Sequence, residues 1–156
     1  MDALPHLNAS GDARMVDVAA KAITQRSATA AGVLLTSSEV VDLLRGGGVP
    51  KGDALAVARI AAIAGTKRTA DLIPLCHPLR LDGVDVALDV TDEGVQITVT
   101  CRATDRTGVE MEALTGVAVA GLALHDMVKA VDPAAVLTDV RLMTKTGGRS
   151  GDWSRE

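Results

Sequence analysis

Two alternating runs constrain this chain more than anything else in it. Val84, Val86, Leu88 and Val90 alternate with Asp85, Ala87 and Asp89, while Val95, Ile97, Val99 and Cys101 alternate with Gln96, Thr98, Thr100 and Arg102. A period of two places each apolar set on one face of a strand. Thr91-Asp92-Glu93-Gly94 separates the runs, so the spacing predicts a hairpin with one buried face. That face needs a cover.

The cover is written into residues 107–133, TGVEMEALTGVAVAGLALHDMVKAVDP. Thr107 and Glu110 have capping-box spacing, which predicts a helix start. Asp132-Pro133 predicts its end, because the residue before proline is pushed out of the α region. Between Glu112 and His125 only Thr115 interrupts apolar or small side chains. That run is shorter than the ~20 apolar residues of a membrane span, so it predicts a helix packed on a sheet or a partner. On a helical projection Glu112, Thr115, Val119, Leu122, Asp126 and Lys129 fall on one broad face. Asp126 and Lys129 are close enough to touch, which on its own reads as a surface ion pair of little energetic weight. Glu112 lies roughly 21 Å from Asp126 along the axis. A single site using both ends therefore needs a second chain to bring one of them in.

The remaining elements follow in order. Residues 1–15 are punctuated by Pro5, Asn8 and Gly11 and predict a flexible N-terminal arm. Val16 to Thr36 predicts one long or bent strand. Thr36-Ser37-Ser38-Glu39 is a second capping box, opening a short helix through Leu44 that ends at Gly46-Gly47-Gly48. A further helix runs from about Asp53 to Ala64, with Leu55, Ala58, Ile60 and Ile63 as its expected buried face. Pro74 and Pro78 stiffen the segment TADLIPLCHP. Val136 to Thr146 predicts a last strand, and the Gly-rich residues 147–156 a tail. The order β-α-α-β-β-α-β predicts an α+β fold of the ferredoxin-like split β-α-β type, an antiparallel sheet with helices packed on one face. Such a sheet has an open face, and an oligomer is a natural way to cover it. Residues 16–146 read as a single domain.

Composition excludes several classes of function. With no Phe, no Tyr and one Trp, the chain lacks the rings on which nucleic-acid binders stack bases. A net charge of −4 argues the same way. Cys76 and Cys101 are far apart with no C-x-x-C, so neither a disulfide scaffold nor a zinc finger is indicated. The first residues carry no basic-then-apolar signal, and a cytoplasmic location is expected, with no membrane partner.

Four groups carry chemistry, each with a bland alternative. Lys51-Gly52-Asp53 follows a triple glycine but lacks P-loop order; Lys51 reads either as a phosphate contact or as a solvated loop lysine. Lys67-Arg68 at a helix end reads as dipole complementarity or as half of an anion clamp. Leu75-Cys76-His77-Pro78 holds His77 stiffly, as a binding or acid–base residue needs. Neighbouring Cys and His point apart in extended chain, which disfavours a Cys–His dyad. A zinc site from Cys76, His77, Cys101 and His125 has no motif spacing. Arg141, Lys145 and Arg149 flank Thr146-Gly147-Gly148, either a basic tail or a loop closing over phosphate. Cations at Lys51, Lys67, Arg68, Lys129, Lys145 and Arg149, with carboxylates Glu110, Glu112 and Asp126, suit a phosphorylated small molecule that undergoes proton transfer.

The strings that carry these groups also carry a resemblance. Lys51-Gly52-Asp53, Lys67-Arg68-Thr69, DLIPLCHP at 71–78, TGVEMEALT at 107–115, Asp126-Met127-x-Lys129-Ala130, Asp139-Val140-Arg141-Leu142 and Lys145-x-Gly147-Gly148-x-Ser150-Gly151 occur in this order. From Met15 to Asp152 the chain resembles the MoaC family of cyclic pyranopterin monophosphate synthases in molybdenum cofactor biosynthesis. The resemblance implies conversion of 3′,8-cyclo-7,8-dihydro-GTP to cyclic pyranopterin monophosphate with release of diphosphate; no cofactor and no metal-ligating residue is expected. It implies catalytic roles for Asp126 and Lys129, and substrate-binding roles for Leu75, Cys76, His77, Met111 and Glu112. Lys51, Lys67 and Lys145 match basic pocket positions, and Glu110 lies beside them. It further implies a homohexamer, a trimer of dimers with sites between subunits, and a radical S-adenosylmethionine enzyme as the functional partner that makes the substrate. His125, Ala70 and Arg149 depart from the family's common residues. A ferredoxin-like regulatory module that binds a nucleotide without turning it over is the rival reading; Asp126 and Lys129, both present, count against it.

Overall fold

The computed structural model describes residues 6–156. Its elements are β1 (Thr24–Leu35), α1 (Ser38–Gly46), α2 (Ala54–Thr66), α3 (Thr69–Leu72), β2 (Gly83–Thr91), β3 (Gly94–Asp105), α4 (Glu110–Val128), β4 (Val136–Thr146) and β5 (Trp153–Ser154). The sheet order is β2-β3-β1-β4-β5, and every neighbouring pair is antiparallel. The first four strands give the expected ferredoxin-like α+β arrangement.

The hairpin forms as its alternation demands. Thr91 pairs with Gly94 across the Asp92-Glu93 turn, and the register runs to Gly83 opposite Arg102. Val95, Ile97, Val99 and Cys101 are fully buried, and Val84, Val86, Leu88 and Val90 pack beside them. β1 continues this face with Ala28, Ala30 and Leu34. On the opposite face Thr29 and Thr100 share a hydroxyl hydrogen bond of 2.8 Å.

α4 covers the sheet and touches β1, β3, β4 and α2. Ala113, Gly116, Val117, Ala120, Gly121 and Leu124 form its buried side. Small residues set the distance: a Cβ on Gly116 would stand 2.8 Å from Thr66 Cγ2 and 2.9 Å from Val99 Cγ1. By length and apolarity α4 also passes for a membrane span, contrary to the shorter run expected, but 56% of it is buried within this fold.

Several expectations need correction. β1 begins at Thr24, and residues 16–22 are irregular. Their Ala-rich sequence has no alternating apolar face to pair. Ser37, not Thr36, caps α1, accepting from Val40 N at 3.3 Å. Thr36 is taken by Asp132, whose Oδ2 accepts from its hydroxyl at 2.7 Å and from Ser37 N at 2.9 Å. α4 ends at Val128, so Asp132 ties the following loop to the start of α1 instead of closing the helix. The Thr107–Glu110 capping box does not form: Val109 is the N-cap, without a side-chain bond, because Glu110 is drawn to Lys145 at 3.5 Å.

α2 buries Ala58 as expected and packs Leu55 against the core, but its buried row is made of small residues and Ile60 lies outside it. Ala54, Ala58 and Ala62 are buried with Gly65 and Thr66, while Ile60 is 68% exposed. The small-residue row lets α2 approach α4 closely, Gly65 lying against Val119. Val57 and Ile60 are left exposed.

The C-terminal tail is also more ordered than a tail. Trp153 and Ser154 pair with Lys145 and Thr144, and Asp152 accepts from Gly147 N at 2.9 Å. Of the expected arm, residues 1–5 lie outside the described residues. Residues 6–14 close into a loop, with Leu7 bridged to Ala13 and Asn8 Oδ1 accepting from Ser10 N and Asp12 N at 2.9 Å each.

Candidate active site

A cavity of about 1430 Å³ opens where residues 16–22, the segment after α3, the first turn of α4 and the end of β4 converge. Leu75, Cys76, His77, Glu110, Met111, Glu112 and Lys145 all line it. Local sequence explains the convergence. The Pro74–Pro78 segment passes in front of the sheet without regular structure, presenting consecutive residues to the cavity. His77 is fixed there by Nε2, 2.6 Å from the carbonyl oxygen of Val16. It thereby ties residues 16–22 to the cavity wall.

Glu112 is the unusual group. It is only 4% exposed, and no side chain among the described residues pairs with it. Burial lifts its carboxyl to about 7; its own backbone amide pulls the other way, and the charge of Glu110 adds to the rise. Burial, with the charge of Glu112, also pushes the Cys76 thiol up. Cys101 is a core residue, and burial is the main cause that takes its thiol to about 12. Lys145 faces Glu110 at 3.5 Å and donates to the Ser150 hydroxyl.

A second group stands at the far end of α4. Asp126 lies 2.7 Å from Lys129 and 3.0 Å from Lys51. The i,i+3 pair was legible in the sequence; the arrival of Lys51 from the loop before α2 is tertiary. Hydrogen bonds from Lys129 and then Lys51, reinforced by their charges, hold the Asp126 carboxyl at about 2. This carboxylate remains ionised at any physiological pH. All three side chains are solvent-accessible.

Lys67 joins neither group. With Arg68 it borders an apolar depression of about 840 Å³ between α2 and α4, walled by Ile60, Leu72 and Val119. One chain therefore carries the expected site residues in three places. Among the described residues no cluster of His, Cys, Asp or Glu is arranged to hold a metal. Lys21 and Arg26 also line the large cavity, and sequence reasoning missed both. Residues 16–36 read as one strand, which gave no reason to single them out.

The MoaC family model matches residues 15–148. A cyclic pyranopterin monophosphate synthase of Streptomyces coelicolor is 64% identical over 154 residues, covering 99% of this chain and 91% of its own. Cyclic pyranopterin monophosphate synthase 2 of Mycobacterium tuberculosis is 59% identical over 152 residues, 97% of this chain and 91% of its own. The synthase of Corynebacterium efficiens is 52% identical over 154 residues, 99% of both chains. With the Asp126 cluster, the first four strands and most of the cavity lining inside the matched region, the chain belongs to the MoaC family.

Proposed function

We infer that this chain is a cyclic pyranopterin monophosphate synthase, a phosphorus–oxygen lyase of molybdenum cofactor biosynthesis. It converts 3′,8-cyclo-7,8-dihydro-GTP to cyclic pyranopterin monophosphate and releases diphosphate. Within the site, the observation that supports this best is the opposite tuning of two carboxyls on one helix. Rearranging a purine-derived ring requires repeated proton transfer, and groups titrating near neutrality do this best. Glu112, at about 7, has that property. Asp126 does not; ionised between two ammonium groups, it orients Lys51 and Lys129. Those cations, with Lys67 and Lys145, stabilise the charge that grows as diphosphate leaves. Leu75, Cys76, His77, Met111 and Glu110 complete the walls that receive the substrate.

Glu112 and Asp126 stand roughly 21 Å apart along α4, farther than one nucleotide ring system reaches. The working site is therefore built between chains in a homohexamer, a trimer of dimers, and acts in the cytoplasm on the product of a radical S-adenosylmethionine enzyme. Two experiments test this. The purified protein is given the cyclised nucleotide, and product pterin and diphosphate are measured; absence of both refutes the activity. Inactive Glu112→Ala and Asp126→Asn chains are then re-assembled together. Sites built from two chains recover about one quarter of wild-type activity under random mixing. No recovery, with subunit exchange verified, places both residues in a single-chain site.

A further inference from the structure

Both carboxylate oxygens of Asp132 are engaged. Oδ2 accepts from the Thr36 hydroxyl at 2.7 Å and from Ser37 N at 2.9 Å, and Oδ1 accepts from Ala134 N at 3.0 Å. The hydrogen bond from Thr36, and next that from Ser37 N, hold this carboxyl below the usual carboxylate range. The two segments it joins lead to one place. On its own side, Lys129 N bonds back to the His125 carbonyl at 2.8 Å, and Asp132 N to the Val128 carbonyl at 3.0 Å. Lys129 therefore sits on a short turn whose far end is Asp132. On the other side, Ser37 is the N-cap of α1, where a negative charge complements the helix dipole. Buried Val40, Val41 and Leu44 seat α1, and Gly48 N closes it on the Leu43 carbonyl at 2.9 Å. The next turn, closed by Gly52 N on the Val49 carbonyl at 2.9 Å, carries Lys51. Lys51 and Lys129 then meet on Asp126, at 3.0 and 2.7 Å.

We propose that Asp132 is a positioning residue: it locks the turn bearing Lys129 to the helix that delivers Lys51, and so fixes how the two ammonium groups stand around Asp126. The proposal rests on the function inferred above and adds a residue to it. Asp126 and both lysines are solvent-accessible, so burial does not hold the three together. An exposed ion pair orders two long side chains only weakly. Their placement is set by the backbones that carry them, and Asp132 joins those backbones across 96 residues of sequence. A displacement of about 1 Å at groups that stabilise developing charge costs up to about 100-fold in rate.

The test compares wild type, Asp132→Ala and Asp132→Asn as full-length proteins. With the cyclised nucleotide, Asp132→Ala is expected to lose about 10- to 100-fold in kcat while KM stays within about 3-fold. Asp132→Asn keeps one oxygen for Thr36 and Ser37 N and should recover kcat to within about 3-fold of wild type. A second readout needs no substrate: the rate at which each lysine reacts with an amine-reactive ester, mapped by mass spectrometry. Lys51 and Lys129 should label roughly 2- to 5-fold faster in Asp132→Ala, while Lys67 and Lys145 keep their wild-type rates. A merely structural role quickens all four alike, and that result overturns the proposal. Unchanged labelling of Lys51 and Lys129, normal kcat in Asp132→Ala, or no recovery in Asp132→Asn overturns it equally. If Asp132→Ala fails to fold, Thr36→Val decides by the same kcat and labelling measurements, because it removes the hydroxyl donor and keeps the shape. Absence of turnover in wild type refutes the inferred activity, and the labelling alone then decides the role of Asp132.

Discussion

Glu112→Gln separates the buried charge from the buried shape. The substitution keeps size and hydrogen-bonding outline but cannot ionise. Burial chiefly, opposed by its own amide and aided by Glu110, moves the Glu112 carboxyl from an ordinary 4.5 to about 7. Its folded-state pKa is raised, so the associated stability is fully present below about pH 4.5 and is lost as pH rises through about 7. At 1.36 kcal/mol per tenfold, that displacement amounts to at most about 3 kcal/mol. Water in the cavity screens part of it, leaving roughly 1.5–3 kcal/mol. Urea unfolding at one fixed protein concentration, at about pH 5 and about pH 8, measures it for both proteins. Wild type should lose roughly 1.5–2.5 kcal/mol more than Glu112→Gln over that interval. Other titrating groups cancel in the double difference. Two profiles parallel within about 0.5 kcal/mol would refute the claim that burial has lifted this carboxyl.

Lys129→Ala should lower turnover about 100-fold or more while leaving the circular-dichroism melt and diphosphate binding close to wild type; normal activity would remove Lys129 from the chemistry. Asp126→Asn should behave in the same way, with no change in melting temperature, because the residue is solvent-exposed. Gly116→Ala, pressed against Thr66 and Val99, should cost about 1–3 kcal/mol in urea unfolding, and an unchanged midpoint would show that the helix layer can shift. In the proposed hexamer, Ile60→Asp should shrink the assembly seen by light scattering and lower turnover together; an unchanged particle size would exclude the α2–α4 face from the interface.

Much of the fold was legible because it rests on local pattern. The 84–102 hairpin needs only period-two alternation and a turn, whereas the 136–146 strand was readable from its position after the long helix and breaks alternation where its register with β1 shifts. What failed depended on contacts distant in sequence. Ile60 reads as core on hydrophobicity, yet α2 buries alanines because close helix approach outweighs side-chain size there. Glu110 reads as a capping-box glutamate until Lys145 competes for it. The ordered tail depends on Trp153 and Asp152 meeting β4 and Gly147, which no local signal announces. The site divides along the same line. Asp126–Lys129 is one turn of one helix and was readable. Lys51 joining them, Arg26 reaching the cavity, and Lys67 standing apart are consequences of packing.

The separation of the site residues also limits how two chains can meet. Val119 is midway in sequence between Glu112 and Asp126. If a two-fold axis passes near Val119 and sets two copies of α4 antiparallel, each Glu112 end is brought toward the other copy's Asp126 end. The surface around that midpoint has the character such a contact needs. Val119 borders the depression lined by Ile60 and Leu72, and Leu122, Ile60 and Leu72 are all exposed large apolar side chains. Lys67 and Arg68 border the same depression, so this packing would carry them toward the substrate and give Lys67 the pocket position it lacks in one chain. A different axis leaves that apolar surface bare and Lys67 stranded. For that reason Ile60→Asp should cost assembly and activity in the same step, whereas loss of assembly with full turnover would show that each chain completes its own site.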